Sequence, residues 1–117
     1  MIKIWTMIEL QPDLQTVLRD RLQTTQARIA ELCQRWQIQE FAIFGSVLRK
    51  DFRPNSDVDV LITFAPQHPW NLFDFMDLQR ELEALFGRSV DLIQKKELQN
   101  PYRRANILQS HRIIYAE

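Results

Sequence analysis

Apolar residues recur with helical spacing in two long segments and in one short one. Over residues 12–36 they form a one-sided stripe, which predicts a helix that starts at a proline. Asn71 can cap a second helix that runs to about residue 86 and ends at Gly87. A short helix over 102–109 follows another proline. In the second helix the spacing predicts these inward-facing side chains: Leu72, Phe75, Met76, Leu82, Leu85 and Phe86.

Four shorter apolar segments have the length and composition of strands, namely 40–45, 57–64, 89–94 and 112–116. The first two are separated by one or two helical turns and by a loop of turn-forming residues. Strands that alternate with helices predict an α/β or α+β sheet domain. A chain of 117 residues is expected to form one domain, 1–117, in which 1–11 is a candidate flexible tail.

Composition narrows the functional classes. The formal net charge is zero, which argues against a general nucleic-acid binder. Cys33 is the single cysteine, so an internal disulfide is excluded and a reducing, cytoplasmic setting is expected. The sequence contains no apolar stretch of membrane-spanning length and no signal-peptide pattern, so a membrane association is not expected.

Two aspartates stand in the most apolar strand segment. Asp57 and Asp59 are two positions apart, so both would point to one face of a strand, about 7 Å apart along it. Like charges on one face repel unless a cation lies between them or one is protonated. Oxygen ligands without His or Cys nearby favour a hard cation such as Mg²⁺, which phosphate oxygens and water help to coordinate.

Other residues complete the pattern of a nucleotide site. Gly45 and Ser46 end one strand segment and open a short helical turn, where backbone amides and a hydroxyl can hold phosphate oxygens. Asp91 is central in a third apolar strand segment and can join Asp57 and Asp59 if the strands are neighbours. Three carboxylates opposite a phosphate-binding turn suit nucleotidyl transfer with two metal ions.

Each feature alone has a plain structural interpretation. Pairs of aspartates are common in loops, and Asp91 could be a charge that keeps an edge strand from pairing with other chains. The combination of Gly45-Ser46, ten intervening residues, Asp57 and Asp59 within a strand and Asp91 in the next strand is far more specific.

This combination resembles the nucleotidyltransferase superfamily that includes DNA polymerase beta. In particular it resembles the minimal nucleotidyltransferases (MNT), the antitoxins of HEPN/MNT toxin–antitoxin pairs, and the resemblance covers residue 41 to the end. Arg49 lies where many of these proteins have the arginine of a G-S-x-x-R-G pattern, but Lys50 replaces the last glycine. The resemblance implies a nucleotidyltransferase fold: a small mixed sheet with helices packed on one face and the site on the other.

The resemblance also implies an activity and a role for each matched residue. Such proteins bind ATP with Mg²⁺ and transfer AMP to a hydroxyl of a partner HEPN ribonuclease toxin. The acceptor is expected to be a tyrosine, and a hetero-oligomer with the toxin is expected. Asp57 and Asp59 would hold the metals, Asp91 would ligate the metal on the nucleophile side, and Gly45, Ser46 and Arg49 would bind the phosphates.

Two other functions remain open at this point. The chain could neutralise a toxin by steric binding alone, or it could modify a small molecule, although such enzymes usually carry a further substrate domain. The basic residues after the third strand could contact nucleotide or partner, but charge runs are usually solvated: Lys95, Lys96, Arg103 and Arg104.

Overall fold

A computed structural model describes residues 8–117. Helix α1 (Pro12–Thr16) continues into a π-helical turn, Val17–Arg21, and is followed by α2 (Gln26–Arg35). The remaining elements, in chain order, are β1 (Ile38–Phe44), a 3₁₀ turn (Gly45–Leu48), β2 (Val58–Phe64), α3 (Leu72–Phe86), β3 (Val90–Gln94), a 3₁₀ turn (Lys95–Glu97), α4 (Pro101–Ser110) and β4 (Arg112–Ala116).

Within residues 8–117, four strands form one mixed sheet in the order β3-β2-β1-β4. β1 is antiparallel to both β2 and β4, whereas β2 and β3 are parallel. A parallel pair needs a crossover connection, which α3 supplies. Asn71 caps this helix through a reciprocal capping box with Asp74, and Gly87 ends it in the left-handed conformation at φ 66°.

Helices α2 and α3 cover one face of the sheet. In β2 the side chains of Val58, Val60 and Ile62 point to this face and are buried. They form the main core with side chains from the two helices, which include Ile29, Cys33, Leu78, Leu82 and Phe86. The predicted α/β fold with a small mixed sheet is therefore confirmed.

The opposite face is divided into an apolar row and a charged row. The apolar row pairs Ala42 of β1 with Leu61 of β2, and both pack with Leu98 and with Ile107 of α4. One row further along the strands the sheet carries aspartates instead. α4 therefore covers the apolar row of this face and leaves the row of aspartates uncovered.

The prediction of a single helix over 12–36 is wrong, because the helical conformation is interrupted between Leu22 and Gln26. Gln23 adopts a left-handed φ of 53°. Thr25 is extended, and its hydroxyl accepts a hydrogen bond from the Arg28 N–H at 3.2 Å, which starts a new helix. The polar run of these residues is the sequence signal for the break.

Several side chains at the start of α3 are not where the sequence predicted them. Leu72 and Met76, predicted to face inward, are 70% and 41% exposed, and the neighbouring Phe73 is 75% exposed. The buried row of this helix runs through Leu78 and Leu82 in steps of four. At about 100° per residue, Met76 lies roughly 200° away from Leu78, on the other side of the helix.

The first residues that the structure describes pack against the main core. Leu10 is buried in the main core and Ile8 packs against that core. Residues 8–11 of the predicted tail therefore belong to the folded domain, and residues 1–7 lie outside the described residues. In the described part of the chain no helix is long and apolar enough to cross a membrane.

An ion pair between the two covering helices generates a pH-dependent prediction. Arg35 of α2 donates to Glu81 of α3 at 2.6 Å, and the Trp36 indole donates to the same carboxylate at 3.3 Å. The hydrogen bond from Arg35 is the main cause that lowers the pKa of Glu81 below its ordinary value of 4.5. This pair therefore stabilises the fold above that value, and the stabilisation is lost as the pH falls through the lowered pKa.

We expect Glu81→Gln to lower the free energy of unfolding at pH 7 by about 0.5–1 kcal/mol, as for other partly exposed pairs. The difference from wild type should shrink as the pH is lowered below 4.5, as measured by urea unfolding at a series of pH values from 7 downwards. Asp77→Asn is the control, since its ion pair with Arg80 is more than half exposed at both ends. A constant deficit of Glu81→Gln across this pH range would contradict the prediction.

Candidate active site

Asp59 and Asp91 lie side by side on the uncovered row of the sheet. They are register partners in the parallel pair of β2 and β3, so their side chains point to the same face about 5 Å apart at the backbone. Phe44 is the register partner of Asp59 on the other side, in β1. The sequence expectation that Asp91 joins the β2 aspartates on one face is therefore met by the sheet register.

Asp57 lies just before β2 and is exposed. Asp59 is half-buried, whereas Asp91 is exposed on the edge strand. Among residues 8–117, none of the three carboxylates has a hydrogen-bond or ion-pair partner. Unpaired carboxylates that cluster on one face destabilise the folded chain, which is typical of a site that binds a cation or a ligand.

The electrostatics of Asp59 show that the three carboxylates interact. Burial is the largest cause that raises the pKa of Asp59, followed by the negative charges of Asp91 and then Asp57. The positive charges of Arg49 and Arg103 act in the opposite direction and lower the pKa. Asp59 is thus the carboxylate on which the other charges of the site act: two negative ones from aspartates and two positive ones from arginines.

The Gly45 turn packs directly against Asp59. Gly45 has a left-handed φ of 76°, a conformation that L-residues adopt only at a cost. A Cβ atom placed at this position would overlap Oδ2 of Asp59 and lie 3.2 Å from its Cγ. Position 45 therefore favours glycine for two reasons, the positive φ and the shift that a Cβ would force on the Asp59 side chain, and the backbone of the turn lies beside this carboxylate.

Ser46 and Arg49 lie in and after this turn. The Ser46 side chain is half-buried, and its hydroxyl has no hydrogen-bond partner in the described part of the chain. Arg49 is exposed and forms an ion pair with Asp51 at 3.2 Å. The backbone of the turn is held by Arg21, which donates to the carbonyl oxygens of Val47 at 2.8 Å and Arg49 at 2.5 Å.

Of the basic residues after β3, Arg103 is the one whose charge acts on Asp59, and the sequence had left its role open. Arg103 lies in the first turn of α4, the helix that packs on the same sheet face. Lys95 pairs with Glu40 at 3.2 Å, and Arg104 donates to the Lys95 carbonyl at 3.1 Å. No local sequence signal separates Arg103 from Arg104, because only the placement of α4 distinguishes them.

The described residues contain no group of three His, Cys, Asp or Glu side chains arranged to hold a metal ion by themselves. The unpaired oxygens of Asp57, Asp59 and Asp91 nevertheless fit a hard cation that takes only one or two carboxylates and completes its shell with phosphate and water. A cation would also relieve the repulsion at Asp59. The donor set thus fits Mg²⁺ that arrives with a nucleotide better than a permanently bound metal.

Comparison with known proteins identifies the family. A profile of the nucleotidyltransferase domain matches residues 28–114. The chain belongs to this family. It is similar to the protein adenylyltransferase MntA of Thermococcus cleftensis, at 39% identity over 70 residues, which cover 60% of this chain and 69% of the relative. The resemblance to minimal nucleotidyltransferases is therefore confirmed.

Solved structures of nucleotidyltransferases in complexes share the fold. One is a toxin–antitoxin complex with AMP-PNP, at a TM-score of 0.64 and 17% identity, with 79% of this chain and 73% of that chain covered. Another is a tri-AMPylated Shewanella oneidensis HEPN toxin in complex with an MNT antitoxin, at a TM-score of 0.57 and 16% identity, with coverage of 79% and 70%. At these identities the likeness establishes the fold alone.

The contact between Gly45 and Asp59 generates a prediction about coupled mutations. Gly45→Ala should destabilise the fold by more than the roughly 1–2 kcal/mol of a left-handed alanine, because its Cβ also meets Asp59. Asp59→Ala in the same chain removes the overlapping atoms, so the double variant should recover about 1 kcal/mol or more relative to additivity. Denaturant unfolding of the two single variants and the double variant measures this coupling.

Gly87→Ala is the matched control for backbone strain. Gly87 also has a positive φ, 66°, but a Cβ there would meet no atom within 4 Å. Gly87→Ala should therefore show the cost of strain alone and no coupling to Asp59→Ala. Equal costs for the two glycine variants, with additive behaviour in both cycles, would contradict the proposed packing of the turn.

Proposed function

We propose that this protein transfers AMP from ATP to a side-chain hydroxyl group, that of a tyrosine, on a partner HEPN ribonuclease toxin and thereby neutralises it. The observation that carries the proposal is the row of unpaired carboxylates beside the Gly45 turn, Asp59 and Asp91 in register with Asp57 nearby. Membership of the nucleotidyltransferase family and the similarity to a protein named as an adenylyltransferase support it.

In the proposed reaction the acceptor hydroxyl oxygen attacks the α-phosphorus of ATP. A new phosphorus–oxygen bond forms, the bond from that phosphorus to the oxygen bridging the α- and β-phosphates breaks, and pyrophosphate leaves. Asp91 takes the hydroxyl proton, since it is exposed and, unlike the other two carboxylates, lies on the edge strand, where a partner can approach. The product is an AMP ester of the partner side chain.

The nucleotide phosphates would lie against the 3₁₀ turn. The Ser46 hydroxyl and the amides of this turn would donate to phosphate oxygens, because Gly45 allows a close approach of the backbone. Arg49 and Arg103 would balance phosphate charge, since both already act electrostatically on Asp59. Binding a phosphate would require Arg49 to exchange its exposed ion pair with Asp51, which costs little.

Mg²⁺ is the proposed cofactor, held by Asp57 and Asp59 with Asp91 on the acceptor side. Bound with ATP, it would neutralise phosphate charge and orient the reacting groups. The support for this assignment is the chemistry of the donor set, since oxygen ligands with no sulfur or imidazole in the row favour a hard cation. A cytoplasmic location remains a prediction from the single cysteine, Cys33, which is buried.

An antitoxin that acts by steric binding alone is the second candidate function. The exposed apolar side chains at the start of α3, Leu72 and Phe73, favour a protein partner under either hypothesis. The unpaired carboxylates distinguish the two, because a surface that only binds gains nothing from keeping three like charges together without partners.

We expect Asp57→Asn and Asp59→Asn to abolish AMP transfer. Each substitution removes a charge that acts in the transition state and is worth several kcal/mol, which corresponds to a loss of roughly 100-fold or more. The chain is co-expressed with the product of its neighbouring gene, the candidate HEPN-type partner, and the intact mass of the purified partner is measured. Wild type should add whole AMP units to the partner, and Asp77→Asn, an exposed carboxylate on α3, should do the same.

The two functions differ in what happens after separation. Covalent transfer predicts that the purified partner stays inactive without this protein, whereas steric binding predicts unmodified mass and activity that returns on separation. Transfer of label from α-³²P-ATP by the Asp57→Asn/Asp59→Asn double variant would contradict the assignment of the site.

A second prediction concerns the cofactor. Mg²⁺ alone should bind weakly, because the protein provides few ligands and the rest must come from phosphate and water. In calorimetry, ATP should bind more tightly with Mg²⁺ than with EDTA, and the difference should be lost in Asp59→Asn. Tight zinc binding at these residues, or an ATP affinity indifferent to Mg²⁺, would count against the proposed cofactor.

A further inference from the structure

The edge strand β3 has backbone groups that point away from the sheet. Among residues 8–117, β3 pairs with β2 and with no other strand, and the Val58 N–H donates to the Ser89 carbonyl at 2.9 Å. In a parallel ladder the alternate residues face the neighbouring strand, so the N–H and C=O groups of Val90 and Leu92 and the N–H of Gln94 point outward. Such groups can pair with another chain.

At Val90 this edge is closed by side chains of α3. The Gln79 amide donates to the Val90 carbonyl at 3.0 Å, and the Glu83 carboxylate accepts from the Val90 N–H at 3.0 Å. Both outward groups of this residue are therefore satisfied, and no further strand can pair there.

From Leu92 onward, the outward backbone groups of β3 are not closed by α3. Within residues 8–117, the outward N–H groups of Leu92 and Gln94 have no hydrogen-bond partner. They border a groove of about 470 Å³ between β3 and the start of α3. Its apolar lining is formed by Phe64, Trp70, Leu72, Phe75, Leu92 and Ile93. An open edge beside an apolar groove is the arrangement that binds extended peptide segments by strand addition.

We propose that the open edge of β3 at Leu92–Gln94 binds an extended segment of the partner protein, which adds to the sheet as a strand and places its acceptor hydroxyl beside Asp91. This inference rests on the proposed function and names the docking site of that same reaction. Apolar side chains of the segment would fill the groove, and its backbone would pair with Leu92 and Gln94.

The position of the closed residue explains why the hydroxyl would arrive at Asp91. A segment that pairs with Gln94 and Leu92 cannot continue along the edge, because Gln79 and Glu83 occupy the outward groups of Val90. It must leave the edge at the level of Asp91, whose side chain lies on the site face. The residue of the segment at that level is therefore the one presented to the carboxylates.

Gln94→Pro tests the backbone pairing. Proline removes the outward N–H but no bond to β2, and the φ of Gln94, −81°, is close to the proline value. Gln94→Ala is the matched control, since it removes the side chain and keeps the N–H. We expect Gln94→Pro to weaken binding of the HEPN-type partner protein roughly tenfold or more, and Gln94→Ala to weaken it much less, because Gln94→Ala loses only a side chain at the groove border and keeps the N–H.

A second pair of variants tests the groove. Leu72 and Phe73 are both exposed in the first turn of α3, but only Leu72 lines the groove. Leu72→Glu should weaken partner binding, whereas Phe73→Glu should not.

In hydrogen exchange, the amides of Leu92 and Gln94 should become protected when the partner is added. The amide of Val90 already donates to Glu83 and should change little.

These measurements report binding and stay informative if AMP transfer itself fails. Unchanged partner affinity in Gln94→Pro, with no new protection at Leu92 and Gln94, would overturn the docking proposal and leave the proposed function intact. Protection of these amides by concentration alone, without partner, would assign the edge to a second copy of this chain and also overturn it. Absence of AMP transfer by the wild-type chain, with docking intact, would overturn the proposed function and leave the docking proposal standing.

Discussion

The close packing of the Gly45 turn against Asp59 is the constraint on which the site depends. Because a Cβ at position 45 would meet this carboxylate and the φ there is positive, the chain leaves β1 along a path that favours glycine. Phe44, the last residue of β1, is the register partner of Asp59, so the turn is bound to β2 at the same level. The candidate phosphate-binding turn and the central carboxylate are thus fixed by one contact.

The sheet face that carries the site combines a stabilising part with a destabilising part. Ala42 and Leu61 pack under Ile107 of α4, which buries apolar surface and orients this helix across the face. In the next row Asp59 and Asp91 repel each other in register, and burial adds to the cost at Asp59. The apolar row provides the rigidity that holds the repelling carboxylates in place, as a preorganised site requires.

The two ends of strand β3 differ in whether α3 satisfies their outward backbone groups. Near its start, α3 satisfies the outward backbone groups of Val90 with Gln79 and Glu83. Near its end, the edge and the adjoining groove are left accessible between Leu92 and the exposed Leu72. An edge strand that is protected only in part is consistent with selective rather than general strand pairing, because unprotected edges lead to aggregation.

Local chemistry in the sequence determined much of this protein. Period-two alternation placed Asp59 opposite the buried valines of β2, and the Asn71 and Gly87 signals located both ends of α3, since capping and strand alternation depend on near neighbours. The tertiary structure alone decided the rest: the register that pairs Asp59 with Asp91, the approach of Arg103 rather than Arg104, and the exposure of Leu72. Those features depend on which elements pack together, and contacts between residues distant in the chain leave no periodic signal in the sequence.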